Sequence, residues 1–196
     1  DNVNKTIIRN YIRYYLRLPI KSEYTIDDMA DDGVSVLDHL NIENAHILGI
    51  SMGGMIAQIM ASSYPEKTKT FTLIASTAST PSPFNGPSKD VRRLFIERTK
   101  NVDATIEDRV SRTKKLFKLI GYQGIDLDTQ EFSDNVKLSI ERGGVDDTGF
   151  GRQLTAILGS KNRIEKVRSI SAPTLIIHGK EDPLIGVKNA CLLYTS

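Results

Sequence analysis

One cysteine, Cys191, is all the thiol this 196-residue chain has. No disulfide can close within it, and a reducing, cytoplasmic setting is the expectation. No apolar run is long enough to cross a bilayer; the longest, around Ile47 to Ala61, is interrupted by glycines, Ser51 and Gln58. An excess of one charge is missing too. The net charge of +2 leaves no field to gather nucleic acid or an acidic membrane, so neither is expected as a partner. Internal repeats and low-complexity tracts are absent. The chain opens on Asp1, with neither a secretory leader nor an initiating methionine. What is present is ordinary globular material, 39% hydrophobic and 26% charged, in a chain long enough for one domain with a sizeable core.

The hydrophobic periods sort the chain into elements. Residues 5–17 read as an amphipathic helix with Ile8, Tyr11, Ile12, Tyr15 and Leu16 on one face, ended by Pro19. Its basic stripe of Lys5, Arg9, Arg13 and Arg17 is read as a solvated face rather than a membrane or polyanion contact. Thr25 opens the next helix, and Asp28 three residues later suits a capping box. Met29, Gly33, Val36, Leu37 and Leu40 are expected to be its buried face, Asn41 its terminator, and His39 a partly exposed structural residue. "HILGI" reads as a buried strand, followed after Ser51 by a helix to about Tyr64, before Pro65. "TFTLIA" (70–75) and "PTLIIHG" (173–179) are two more buried strands. Continuous apolar strands separated by a helix imply an α/β fold: a parallel sheet with helices on both faces.

Roughly ninety residues separate the second and third strands, far more than one crossover needs. A Ser/Pro/Gly linker, "STASTPSPFNGPS", leads into helical patterns at about 89–100, 104–120, 128–142, 148–158 and 162–169. Thr105 with Asp108 again resembles a capping box. The organisation that follows is a core segment over 1–78, a helical cap insertion over 79–170 lying over the edge of the sheet, a core strand with its acid loop over 171–190, and a tail over 191–196.

The chemistry centres on Gly49-Ile50-Ser51-Met52-Gly53. A serine hydroxyl is a weak nucleophile and needs an adjacent base. It must also stand clear of the sheet, which a sharp strand-to-helix turn with serine at its apex achieves. Side chains two residues either side of the apex would collide there, and glycine at 49 and 53 removes the collision. The Met52 N–H, at the start of the helix, is placed to donate to a developing oxyanion. A tight turn with an incidental serine is the plainer alternative, but a buried strand before and a small-residue helix after are the context that the catalytic reading requires. In this architecture the order is nucleophile, acid, histidine. "PTLIIHGKEDPLIG" offers Asp182 as the acid, with Glu181 as its rival; no acid follows the "TFTLIA" strand closely.

These residues carry a resemblance. "HILGISMGGMIAQ", "HGKEDPLIG" and the helical insertion between them resemble the α/β-hydrolase superfamily. "YTIDDMADDGVSVLDHLNIENAHILGISMGGMIAQ" is similar to the aclacinomycin methylesterase-like hydrolases and their proline iminopeptidase-like relatives, and "FGRQLTAILGSKNR" supports that branch. The likeness covers about residues 1 to 189. It implies a partial α/β-hydrolase fold, a serine hydrolase with a Ser-His-Asp triad acting foremost on carboxylic esters, a small-molecule ester or amide as substrate, and no metal or cofactor. Phe84, Phe95, Leu116, Phe117, Phe132 and Phe150 are then either pocket lining or cap core. A non-catalytic small-molecule binder of the same fold is the second reading.

Histidine is the scarcity that matters most. His39, His46 and His178 all precede Asp182, where the family pattern has its catalytic histidine after the acid. His178 is expected to pack under the acid loop, as the family's motif also has a histidine before that glycine, separate from the catalytic one. The strands and His-Gly loop with which the family begins have no counterpart either, so the chain reads as an internal piece of a hydrolase. The last six residues, "CLLYTS", match what a transposon end used in preparing sequencing libraries encodes. Cys191–Ser196 are accordingly read as non-native, which would remove Cys191 from any argument about redox setting.

Overall fold

The computed structural model describes residues 2–80, 86–100, 104–143 and 147–194. In chain order they form α1 (Asn2–Tyr15), α2 (Ile26–His39), β1 (Ala45–Ile50), α3 (Met52–Ser63), a 3-10 turn (Pro65–Lys67), β2 (Thr68–Ile74), α4 (Lys89–Lys100), α5 (Ile106–Ile120), α6 (Gln130–Glu141), α7 (Asp147–Gly159), α8 (Ile164–Arg168), β3 (Thr174–Ile177) and α9 (Lys188–Tyr194). The strands make one parallel sheet in the order β1-β2-β3. All three carboxyl ends therefore lie along one edge.

Helix starts follow local chemistry. Thr25 and Asp28 close a capping box at α2: Asp28 N–H donates to Thr25 Oγ1 at 3.1 Å, and Thr25 N–H donates to Asp28 Oδ2 at 2.7 Å. Thr105 and Asp108 do the same at α5. Thr129 caps α6 by accepting from the Phe132 N–H. Asn41, in the left-handed region at φ 54°, ends the run after α2.

The core gathers around α3. Ile26, Ala30 and Val34 of α2 pack with Met55, Ile59 and Met60 of α3 and with Ala156 of α7. On the sheet side Ala57 and Ala61 meet Phe71, Leu73, Ala78 and Leu193. Burying Phe71 and Leu73 contributes about 1.5–3 kcal/mol each. A glycine on α2 lets α3 lie close: at Gly33 a Cβ would stand 3.2 Å from the Met60 sulfur.

Three expectations about faces are corrected. On α1 the buried residues are Ile7 and Asn10, while Ile8, Ile12, Tyr15 and Leu16 are exposed. The reason is a distant partner: Ile7 inserts against α7 at Gly151, where a Cβ would overlap its side chain. Asn10 exchanges two hydrogen bonds with the Lys21 backbone, 2.6 and 3.2 Å long. On α2 the seam is Ile26, Ala30 and Val34, flanked by Met29 and Leu37, and Val36 and Leu40 face outward. In the sheet, α3 covers the face bearing Ile47, Phe71, Leu73 and Ile176. The opposite face carries Leu48, Ile50, Leu175 and Ile177, with Leu48 61% and Leu175 55% exposed. Among the described residues no second helical layer covers it.

Between β2 and β3 lie α4 to α8, at positions close to the five helical patterns. Aromatic residues of this segment pair with one another: Phe95 with Phe150 at 5.5 Å and Phe117 with Phe132 at 5.8 Å between centroids. None of the four is fully buried, and Phe117 is 45% exposed; Phe84 lies outside the described residues. At the other end, Leu193 of α9 is buried beside Phe71 while Cys191 is exposed. Thr195 and Ser196 lie outside the described residues.

Candidate active site

Ser51 sits between β1 and α3 with φ 53° and ψ −117°, a combination that an L-residue holds at a cost of about 1–3 kcal/mol. Its own backbone secures it. The Ser51 N–H donates to the Ile74 carbonyl at 2.9 Å, which ties the turn to the end of β2. The Ser51 carbonyl accepts from the N–H groups of Gly54 and Met55 at 3.0 and 3.2 Å. It also accepts from the Ser76 hydroxyl at 2.7 Å. The Ser51 side chain makes no capping bond to the helix, so its hydroxyl is not consumed locally. Met52 heads α3, where the first N–H groups have no intrahelical acceptor.

The glycines divide differently from expectation. At Gly49 a Cβ would overlap the Gly53 carbonyl and lie 2.7 Å from the Gly54 Cα, so residue 49 must be glycine for the turn to close. At Gly53 a Cβ would meet nothing within 4 Å; the expected collision there is absent. The crowded second glycine is Gly54, whose Cβ would stand 2.6 Å from Ser76 Cβ and 2.7 Å from a Leu73 methyl. The turn thus packs against the segment after β2, a partner that local sterics around Ser51 do not reveal.

Asp182 lies in the loop after β3, on the same edge of the sheet. Its Oδ1 accepts from the N–H groups of Leu184 and Ile185 at 2.8 and 2.9 Å, which folds the loop back on itself. Its Oδ2 accepts no hydrogen bond from the described residues; His178 Nε2 stands 3.6 Å from it. That proton is already committed, because His178 Nε2 donates to the Ile185 carbonyl at 2.6 Å. The His178 side chain is 3% exposed, and its Nδ1 is buried without a partner. Glu181 is exposed. His46 belongs to the amino end of β1, where its Nδ1 meets Thr70 Oγ1 at 2.8 Å, and His39 is exposed at the end of α2.

The segment after β2, read from the sequence only as the start of a linker, stitches these parts together. The Ala75 N–H donates to the Ile177 carbonyl at 2.9 Å. Ser76 reaches Ser51, and the Thr77 hydroxyl donates to Asn189 Oδ1 at 2.6 Å. A run of small polar residues directly after a buried strand was the available signal. Among the described residues no group of His, Cys, Asp or Glu is arranged to hold a metal ion, and no helix is long and apolar enough to cross a membrane. Two open grooves, about 370 and 500 Å³, lie beside Tyr11 and Arg92 and beside Leu18 and Leu158. Neither is lined by Ser51 or Asp182, so neither is assigned to the chemistry.

The chain is similar to known proteins in sequence and in fold. Over 175 residues the chain is 25% identical to the rhodomycin D methylesterase of Streptomyces peucetius, covering 82% of this chain and 58% of that protein. Over 170 residues it is 25% identical to the 3-oxoadipate enol-lactonase 2 of Acinetobacter baylyi, covering 87% and 58%. A hydrolase from Pseudomonas aeruginosa has the same fold, with a TM-score of 0.67 at 19% identity over 91% of this chain and 62% of that one. The chain thus spans about three fifths of the length of the relatives it matches. The profile of the α/β-hydrolase fold matches residues 9–196, from α1 through the Ser51 turn and the insertion to the Asp182 loop. With methylesterases among its relatives and a strained serine between β1 and α3, the chain belongs to the α/β-hydrolase fold family.

Proposed function

We propose that this chain carries the nucleophile and the acid of a serine hydrolase that cleaves carboxylic esters of small molecules. The observation that carries the reading is the pairing of two features on one edge of a parallel sheet. Ser51 is held in a strained turn with an uncommitted hydroxyl, and Asp182 has one oxygen engaged in its loop and the other open. An open carboxylate oxygen is what an imidazole N–H needs in order to be oriented.

In the proposed reaction a histidine takes the Ser51 proton as Oγ attacks the ester carbonyl. The Met52 N–H donates to the oxyanion, and Asp182 stabilises the imidazolium. The alcohol leaves with that proton, and water then releases the acid by the reverse steps. His39, His46 and His178 are each engaged or exposed elsewhere, so the base is assigned to a histidine beyond this stretch of sequence. Methylesterase and lactonase relatives support an ester or lactone substrate over an amide.

The test is labelling by a fluorophosphonate in the longer protein that includes this histidine. Label on Ser51, lost in Ser51→Ala together with hydrolysis of a p-nitrophenyl ester, supports the reading. An unlabelled, folded protein that still binds small esters would make it a receptor on a hydrolase fold.

A further inference from the structure

Arg163 is 3% exposed and makes no ion pair among the described residues. Its guanidinium is spent on neutral acceptors. Nε donates to Gln58 Oε1 at 3.1 Å, one terminal nitrogen to the Thr77 carbonyl at 2.9 Å, and the other to the Lys161 carbonyl at 3.0 Å. Its backbone N–H donates to the Ala78 carbonyl at 2.8 Å. Gln58, fully buried in the middle of α3, also donates to the Thr77 carbonyl at 3.3 Å. Burial pushes the guanidinium down to about 10, against a weak upward pull from Asp27.

A cation buried without a carboxylate is a poor device for stability, since an apolar side chain of similar volume costs less to bury. What the planar fork supplies is direction: it fixes several acceptors at set angles, which a lysine cannot do. Here those acceptors belong to three different places. Thr77 and Ala78 are where the chain leaves the sheet after β2, Lys161 lies between α7 and α8, where the chain comes back against α3, and Gln58 is on the helix that Ser51 begins. Next to Thr77, the Ser76 hydroxyl holds the Ser51 carbonyl at 2.7 Å.

We propose that Arg163 is a positioning residue for the nucleophile, clamping the two necks of the insertion together and transmitting their position through Ser76 to the Ser51 turn. The proposal rests on Ser51 as the nucleophile only for its catalytic consequence. The turn itself is read without turnover, so an unlabelled Ser51 and an unresponsive turn are separate failures.

The experiment is amide hydrogen exchange by mass spectrometry on the 196-residue chain at low protein concentration, comparing Arg163→Met, Ser76→Ala and the double variant. Losing charge-assisted bonds should speed exchange at Gly54 and Met55, whose N–H groups bond the Ser51 carbonyl, by roughly tenfold. Exchange in α5 and α6 should not change. Ser76→Ala alone should loosen the same amides, and Arg163→Met should add little on top of it. Should Arg163→Met fail to fold, Arg163→Lys and Gln58→Leu carry the same comparison. Protection at Gly54 and Met55 that survives while residues 160–168 loosen would overturn the proposal. Uniform loosening of every helix would overturn it as well, because Arg163 would then be stabilising the fold and nothing more.

Discussion

The Nε2 of His178 stands 3.6 Å from Asp182 Oδ2, yet gives its proton to the Ile185 carbonyl at 2.6 Å. The histidine nearest the proposed acid is therefore a brace for the acid's loop, and the acid keeps an oxygen open. Asp182→Asn in the active enzyme should lower kcat by about three to four orders of magnitude, because the imidazole loses its orienting partner. Glu181→Gln should change kcat by less than about twofold, as an exposed charge contributes little. Steady-state kinetics on variants with equal melting temperatures decide the matter. Damage from Glu181→Gln alone would move the acid by one residue.

The 196-residue chain by itself should not turn over a p-nitrophenyl ester. His46 and His178 are hydrogen-bonded to Thr70 and Ile185 and His39 is exposed at the end of α2, and a general base contributes about two to four orders of magnitude. Hydrolysis above background that disappears in Ser51→Ala would show that one of these histidines serves after all.

Glycine substitutions should separate the crowded positions from the open one. Gly49→Ala forces a Cβ into the Gly53 and Gly54 backbone, and Gly54→Ala forces one against the Ser76 and Leu73 side chains, for an expected loss of about 1–3 kcal/mol each. Gly53→Ala meets open space, and in a helix alanine is favoured over glycine by roughly 0.8–1 kcal/mol. It should be neutral or stabilising. Urea denaturation of the three variants gives the order, and a Gly53→Ala loss equal to that of Gly49→Ala would contradict the packing described above.

The capping boxes set an acid limit. Hydrogen bonds from Thr25 and Thr105 hold the Asp28 and Asp108 carboxyls below the usual aspartate range. A depressed carboxyl adds stability that is present above its ordinary value and fades as pH falls through the lowered one. Thr25→Ala should cost about 1 kcal/mol at neutral pH. Asp28→Asn should lose stability at neutral pH and converge on the parent in strong acid. Thermal melts across that range would expose a gap that fails to close.

The uncovered sheet face should drive self-association. Leu48 and Ile50 of β1 and Leu175 and Ile177 of β3 flank Thr72 and Ile74 of β2 on one largely apolar face, the kind of patch that seeks a partner. Sedimentation velocity should show assembly growing with concentration, and Leu48→Lys with Leu175→Lys should suppress it. A concentration-independent monomer would count against this.

What the sequence alone determined is what acts over a few residues. A threonine and an aspartate three apart set the starts of α2 and α5, and apolar runs bounded by turn residues marked all three strands. The Gly49–Ser51 turn follows from sterics within one segment. That Asp182 would reach the same edge as Ser51 was legible because both follow parallel strands; its role as the acid is proposed. The tertiary structure decided whatever depends on a distant partner. Gly151 turns Ile7 and Asn10 of α1 inward instead of Ile8 and Ile12, and Ser76 makes Gly54 rather than Gly53 the crowded position. Arg163 joins Gln58 across 105 residues of sequence. Such choices are settled by close packing between surfaces that meet only on folding, and no pattern confined to one segment contains them.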